Sequence, residues 1–128
     1  ARQSLDHDRA SLLDISSEIE SPVSFTAKIL QQLVKAGIIS SSRGKSGGFY
    51  ISPLQMKETM VSDIVEFMDG DRVYTQCGLG LKHCSSAKPC PAHERFIGIR
   101  NELKEVLETT SVYSMANGLR DGITFLKR

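Results

Sequence analysis

The segment "SPVSFTAKILQQLVKAGIISSSRGKSGGFYIS", residues 21–52, joins a helical pattern to a glycine-rich hairpin pattern. Ser21 is a favourable N-cap, Pro22 suits the first helical position and Gly37 suits the stop. A helix is therefore expected over residues 21–37, with one apolar stripe facing a core. The stripe consists of Phe25, Ile29, Leu30, Leu33 and Val34.

The second half of this segment predicts two short strands. Residues 38–41 and 49–51 are β-favouring, and the three glycines between them allow a tight turn. Arg43 and Lys45 are expected near the tip of the hairpin, which makes that tip basic.

A further short helix is expected over residues 11–20, with Ser11 as its cap and Asp14 in the reciprocal position of a capping box. Two short helices, a glycine turn and a basic hairpin together predict a winged helix-turn-helix. In that module the second helix enters the DNA major groove and the hairpin reaches the flanking backbone or minor groove. The residues predicted to contact double-stranded DNA are Ser24, Thr26, Lys28, Gln31, Arg43 and Lys45. The alternative is that the polar residues of this helix form an ordinary solvated face.

Composition restricts the class of protein. The chain has 128 residues and a net charge of +1, so any DNA-binding charge must be local. No apolar run approaches the length of a membrane span, and the N-terminal sequence lacks the pattern of a signal peptide. We expect a cytoplasmic protein of one ordinary domain's size. Because no nucleophile–base pair or phosphate loop is present in a supporting context, we do not expect an enzyme.

All three cysteines lie in "CGLGLKHCSSAKPCPAHERF", residues 77–96. An odd number of cysteines in a cytosolic protein favours metal binding or redox chemistry over a disulfide framework, with incidental cysteines as the alternative. Six residues separate Cys77 from Cys84, five separate Cys84 from Cys90, and two separate Cys90 from His93. The close C-x-x-C pairs of structural zinc sites are missing, and the wider spacing suits a cluster larger than one ion.

Residues 77–93 are hereafter the cysteine loop. Cys90 is expected to be the N-cap of the next helix and His93 its third residue, which would bring their side chains together. A solvent-exposed His93 without a metal role is the alternative, and His83 is the rival ligand. His83 ranks lower because adjacent residues rarely point at the same metal.

A long helix is expected from Pro91 to about Thr110. Its apolar positions recur at spacings of three and four residues, which favours either core packing within the chain or pairing with a second copy. We expect pairing, because reading two DNA half-sites normally needs a dimer. The repeating residues are Phe96, Ile99, Leu103 and Val106, with Leu107 beside them.

The chain resembles the IscR/NsrR group, the Rrf-two family of bacterial transcription regulators. The resemblance rests on "LLDISSEI", on the segment 21–52 and on the three-cysteine loop leading into the long helix. It implies a mainly α fold with a small β-hairpin, in which a winged helix-turn-helix is followed by a long dimerisation helix. The predicted domains are a DNA-binding domain over 1–70, a cluster-binding loop over 71–93, and a dimerisation helix with a C-terminal segment over 91–128. The family has one helix before the equivalent of Ser11, and we expect this chain to begin at the end of that helix.

The resemblance also implies a homodimer whose DNA binding responds to an iron–sulfur cluster. The matching ligands are Cys77, Cys84 and Cys90, and His93 matches the histidine that completes a 2Fe–2S site in the IscR-like branch. In the NsrR-like branch the cluster is 4Fe–4S, with a carboxylate from the partner chain. The first gap is six residues here and commonly five in the family. Two alternatives are a thiol-redox regulator without metal and an iron–sulfur electron-transfer or carrier protein.

Overall fold

The structure is a computed structural model that describes residues 1–126. The chain forms two compact units, one made of Ala1–Thr59 together with the chain from Ser111, and the other of Met60–Thr110. In chain order the elements are α1 (Arg2–Leu5), α2 (Leu12–Glu18), α3 (Val23–Lys35), β1 (Ser40–Ser42), β2 (Gly48–Tyr50), α4 (Pro53–Glu58), α5 (Val61–Asp69), α6 (Arg72–Thr75), α7 (His93–Thr109) and α8 (Val112–Arg120).

Helices α2 and α3 pack against each other as the helix pair of the first unit. The predicted capping box of α2 is confirmed, because the Ser11 hydroxyl accepts a hydrogen bond from the Asp14 N–H and the Asp14 carboxylate accepts one from the Ser11 N–H. The start of α3 was placed one residue too early. Pro22, which has no N–H to satisfy, is the N-cap in place of Ser21.

The hairpin is antiparallel, with Ser41 opposite Phe49. Ala10 adds a further bridge on the other side of Phe49, through N–H···O bonds of 3.0 and 2.8 Å in the two directions. Gly48 makes this close approach possible, since a Cβ there would lie 2.7 Å from the Ala10 carbonyl oxygen. The wing thus consists of the predicted hairpin and one residue from the segment before α2.

The buried core of this unit joins the hairpin to α4 and α8. It is centred on Ile51, Met56 and Ala116, and the Met56 side chain is fully buried. Helix α4 was not predicted from the sequence, although Ser52 and Gln55 form a capping box at its start. A short helix predicted near residues 111–117 is present as α8, capped by Ser111.

In the second unit, α5 and α6 both pack against α7. Residues 61–70 are predicted from the sequence to form a short helix that ends at Gly70, and Gly70 ends α5 at a φ of 69°. The same pattern predicts Phe67 and Met68 in the core, but both are exposed in this chain. The fold class is confirmed: the described chain is mostly helical and carries one two-stranded antiparallel hairpin.

Candidate functional site

The first candidate surface is formed by α3 and the wing. Five of the six predicted DNA-contacting side chains are exposed on it. They are Ser24, Lys28 and Gln31 on α3, and Arg43 and Lys45 in the turn between β1 and β2. Three of these five are basic, so they give a nearly neutral chain a local cationic surface.

The sixth residue, Thr26, does not belong to this surface. Its side chain is only 3% exposed, and its hydroxyl has no hydrogen-bond partner among the described residues. Phe25, which was expected to be buried, is 59% exposed. The inward face of α3 therefore includes Thr26 and Leu30 and excludes Phe25. Burial removes Thr26 from the set of side chains able to reach DNA.

Arg9, the residue before Ala10, contacts the wing and was missed by sequence reasoning. Its guanidinium donates a 2.6 Å hydrogen bond to the Ser42 hydroxyl and lies 5.0 Å from the centre of the Tyr50 ring. These contacts tie the segment before α2 to both strands of the hairpin. No local signal could have revealed them, because 33 positions separate Arg9 from Ser42.

The second candidate site is the cysteine loop with the start of α7. The helix begins later than predicted, with Ala92 as N-cap and His93 as its first residue. Cys90 is not the N-cap, although its carbonyl accepts a 3.0 Å hydrogen bond from the His93 N–H. The expected pairing of the Cys90 and His93 side chains is replaced by another one. His93 is 6% exposed, and its Nδ1 atom lies 3.5 Å from the sulfur of Cys84.

The Cys84 sulfur has a second polar neighbour. Arg100, one turn beyond Phe96 on α7, donates from Nη2 to this sulfur at 3.7 Å and from Nη1 to the Gln76 carbonyl at 3.0 Å. Arg100 was not selected from the sequence. Its spacing of seven residues from His93 places both side chains on one face of a helix and was the signal available.

Cys77 lies at the start of the cysteine loop, and the pKa of its thiol is below the ordinary value for cysteine. Hydrogen bonds from the backbone N–H groups of Leu79 and Leu81 lower the pKa of the Cys77 thiol, against a smaller opposing effect of burial. The charge of Arg100 and a side-chain hydrogen bond with Cys90 lower the same pKa further. Backbone donors aimed at a sulfur are what a thiolate ligand of a metal group requires.

A cavity of about 460 Å³ opens within this part of the chain, between Thr75 and Cys84. Cys77, Cys84 and the rival ligand His83 all contribute to its wall. The first half of the loop therefore borders an open pocket next to two of the predicted ligands.

The three cysteines and His93 match an iron–sulfur cluster in ligand type but not in their arrangement. The ligand types fit, because soft thiolates and an imidazole are available and nearby backbone N–H groups lower the pKa of the Cys77 thiol. However, within residues 1–126 no three His, Cys, Asp or Glu side chains converge as a metal site. Among the predicted ligands, the printed side-chain contact is that of Cys84 with His93, at 3.5 Å from sulfur to Nδ1.

Comparison with known proteins gives consistent matches. The family model of Rrf2, described as an iron-dependent transcriptional regulator, matches residues 1–118. A protein of Aquifex aeolicus assigned as an HTH-type transcriptional regulator is 28% identical over 98 residues, which are 75% of this chain and 67% of that protein.

Two solved structures share the fold. IscR of T. potens superposes with a TM-score of 0.69 at 19% identity, over 98% of this chain and 82% of that one. CymR (YrzC), the global cysteine regulator of B. subtilis, superposes with a TM-score of 0.67 at 24% identity, over 87% of this chain and 80% of that one. In the part of the chain that the structure describes, no helix is both long and apolar enough to cross a membrane.

Proposed function

Because this chain belongs to the Rrf2 family of iron-dependent transcriptional regulators, we propose that it is a homodimeric DNA-binding regulator whose affinity for DNA depends on an iron–sulfur cluster in the cysteine loop. The observation that carries the proposal is that all three cysteines lie in the loop that leads into α7, whose first residue is His93. The same chain carries a winged helix with a basic face.

The DNA-binding half of the proposal rests on α3 and the wing. Lys28 on α3 and Arg43 in the wing are exposed and cationic, so both are available to phosphates or base edges. Ser24 and Gln31 supply neutral hydrogen-bonding groups on the same helix. A helix in the major groove with a basic wing beside it is the arrangement that these side chains suit.

Dimerisation is proposed from the uncovered face of α7. Ile99 is 56% exposed, Val106 is 58% exposed, and Leu103 between them is 36% exposed. Their spacing of four and three residues puts them in one stripe. An apolar stripe on a helix is stabilised when another helix covers it, and a second copy of α7 presents the complementary stripe.

The residues proposed to hold the cluster are Cys77, Cys84, Cys90 and His93. A 2Fe–2S group is favoured, because His93 matches the histidine of the IscR-like branch, and 4Fe–4S is the alternative. When bound, such a group supplies a charge and an oxidation state that change with the chemistry of the cell. Backbone N–H groups near Cys77 and the guanidinium beside Cys84 favour the thiolate form of these two proposed ligands.

The loop is joined directly to α7, so ordering the loop acts on the proposed dimer helix. If the state of the loop changes DNA affinity, DNA must change the stability of that state by the same factor. This reciprocity separates a sensor from a protein that merely carries both sites.

The test is anaerobic purification followed by iron and sulfide analysis and DNA binding in the loaded and metal-free forms. We expect iron, acid-labile sulfide and visible absorbance, with DNA affinities that differ between the two forms. A colourless protein with one zinc per chain would contradict the cluster.

A second candidate is a thiol switch without metal, favoured by the lowered pKa of the Cys77 thiol. A metal-free protein whose DNA affinity still responds to oxidant would support this candidate. The electron-carrier alternative loses support, because the family is one of transcriptional regulators.

A further inference from the structure

One face of α7 contacts the cysteine loop at three successive turns. His93 meets Cys84, the Phe96 ring packs against the backbone of Gly78, and Arg100 donates to the loop. A side chain at position 78 would overlap the Phe96 ring. The spacing of three and four residues makes this a continuous face, which adjoins the apolar stripe of Ile99, Leu103 and Val106.

Arg100 makes the most specific of these contacts. Its two terminal nitrogens reach different parts of the loop region, the carbonyl of Gln76 and the sulfur of Cys84. The chain between those two positions is thereby held at both ends by one side chain. A planar guanidinium can do this, whereas a lysine ammonium offers one point of charge.

The charge of Arg100 has no carboxylate partner among residues 1–126, where the ion pairs involve other cations. Its nearest acceptors are a neutral carbonyl and a sulfur. The positive charge therefore acts on the ligand Cys84 with little compensation from within the chain. A cation and an N–H donor beside a ligand sulfur favour the more negative, reduced state of a bound cluster.

We propose that Arg100 is a positioning residue that holds Cys84 beside His93 before metal arrives and raises the reduction potential of the loaded site. The effect on the reduction potential rests on the proposed function, whereas the positioning of Cys84 does not. Both act through the Cys84 sulfur, so Arg100 itself is not a ligand.

Three variants test the proposal. Arg100→Gln removes the positive charge and the two-armed guanidinium donor. Arg100→Lys keeps the charge but offers a single donor group in place of the two arms. Arg95→Gln is the matched control, because Arg95 is exposed on the same helix and makes no hydrogen bond or ion pair within the described residues. Circular dichroism establishes that each variant is folded.

The first measurement is hydrogen exchange of residues 76–84 in the metal-free protein. We expect exchange at least about tenfold faster in Arg100→Gln, unchanged exchange in Arg95→Gln, and an intermediate rate in Arg100→Lys, since opening the segment loses two bonds to a charged group. Equal hydrogen-exchange rates for residues 76–84 in the Arg100→Gln and wild-type proteins would overturn the positioning role. This result does not depend on cluster binding, because the measurement uses metal-free protein.

The second measurement is the midpoint potential after iron–sulfide reconstitution, with dithionite supplying the one electron taken up. We expect Arg100→Gln to lower the equilibrium constant for one-electron reduction about tenfold, which lowers the midpoint potential by about 59 mV. Arg95→Gln should leave the midpoint potential unchanged. Arg100→Lys should recover most of the shift, because the charge remains. An unshifted Arg100→Gln potential overturns the tuning role. A wild-type protein that takes up no iron and sulfide refutes the cluster and the tuning together, and leaves the exchange result to decide the positioning.

Discussion

The Nδ1 atom of His93 lies 3.5 Å from the sulfur of Cys84. These residues are nine positions apart, and they meet because His93 is buried in the first turn of α7 while the loop folds back over that helix. The proposed fourth ligand is therefore the neighbour of the second cysteine, and not of the third as the sequence predicted.

Replacing His93 by Ala should remove most of the bound cluster. The imidazole is buried next to Cys84, and loss of a ligand should weaken the site at least as much as loss of a supporting residue, about 10–100-fold. His83→Ala is the matched control, because His83 also lies beside the predicted ligands, in the wall of the cavity, but is the less favoured of the two candidate histidine ligands. Iron and sulfide per chain measure both variants. Retention in His93→Ala with loss in His83→Ala would reverse the assignment.

Replacing Arg43 by Ala should weaken binding to a target duplex. Arg43 is exposed in the basic wing, and such a contact is worth about 1–3 kcal/mol when it reads a base edge. If Arg43 contacts a phosphate instead, the plot of the logarithm of the binding constant against the logarithm of salt concentration should become less steep by about one. Lys35→Ala, in the last turn of α3, removes an equal charge from outside the predicted contact set. Fluorescence anisotropy across salt concentrations gives both quantities, and equal effects of the two changes would refute the wing assignment.

Replacing Ile99 by Asp should favour the monomer. Ile99 is 56% exposed in one chain, and a charge at a helix pair interface must be desolvated when a second copy covers it. We expect at least about a tenfold rise in the dimer dissociation constant, equivalent to 1.4 kcal/mol. Sedimentation equilibrium measures it. Asn101→Asp introduces the same charge at an exposed position off the stripe and should leave the dimer intact.

Replacing Met56 by Ala should destabilise the first unit by about 2–5 kcal/mol. The Met56 side chain is fully buried against Ile51 and Ala116, so truncation leaves a cavity. Leu54→Ala on the same helix removes a comparable side chain that is 64% exposed, and it should cost far less. Urea unfolding of the metal-free protein distinguishes them, and similar losses for both would contradict the placement of the core.

Replacing Asp14 by Asn should reduce stability near neutral pH and have little effect in acid. Hydrogen bonds from the Ser11 hydroxyl and N–H lower the pKa of Asp14 below its ordinary value of 3.8. The folded state thus binds the proton more weakly than the unfolded state. The stabilisation is present above pH 3.8 and is lost as the pH falls through the lower folded-state pKa.

Urea midpoints of the wild-type and Asp14→Asn proteins should therefore differ at neutral pH and converge on acidification. Asp8→Asn is the control, since the Asp8 carboxylate makes no hydrogen bond or ion pair within residues 1–126. A constant difference across the pH range for Asp14→Asn would show that the cap does not depend on its charge.

Much of the fold could be predicted because its signals are local. The Ser11–Asp14 box, the glycine at the end of α5 and the glycine-rich turn between β1 and β2 each act through neighbours a few positions away. Local signals of this kind, taken in their order along the chain, predicted the winged helix. The cysteine spacing likewise marked the second site, since ligands must be present in the chain before any geometry exists.

The tertiary structure decided which side of an element faces the core and which distant groups meet. Thr26 and Phe25 are adjacent on α3, and helical periodicity alone did not fix which of them turns inward, because packing against α2 and the rest of the unit sets that rotation. Arg9 on the wing and Arg100 beside Cys84 join positions 33 and 16 residues apart. By itself the sequence determined which chemical groups this protein carries and where its helices and hairpin form. Only folding, which closes loops between distant residues, determined that His93 meets Cys84 and that Arg100 holds both ends of the loop segment between Gln76 and Cys84.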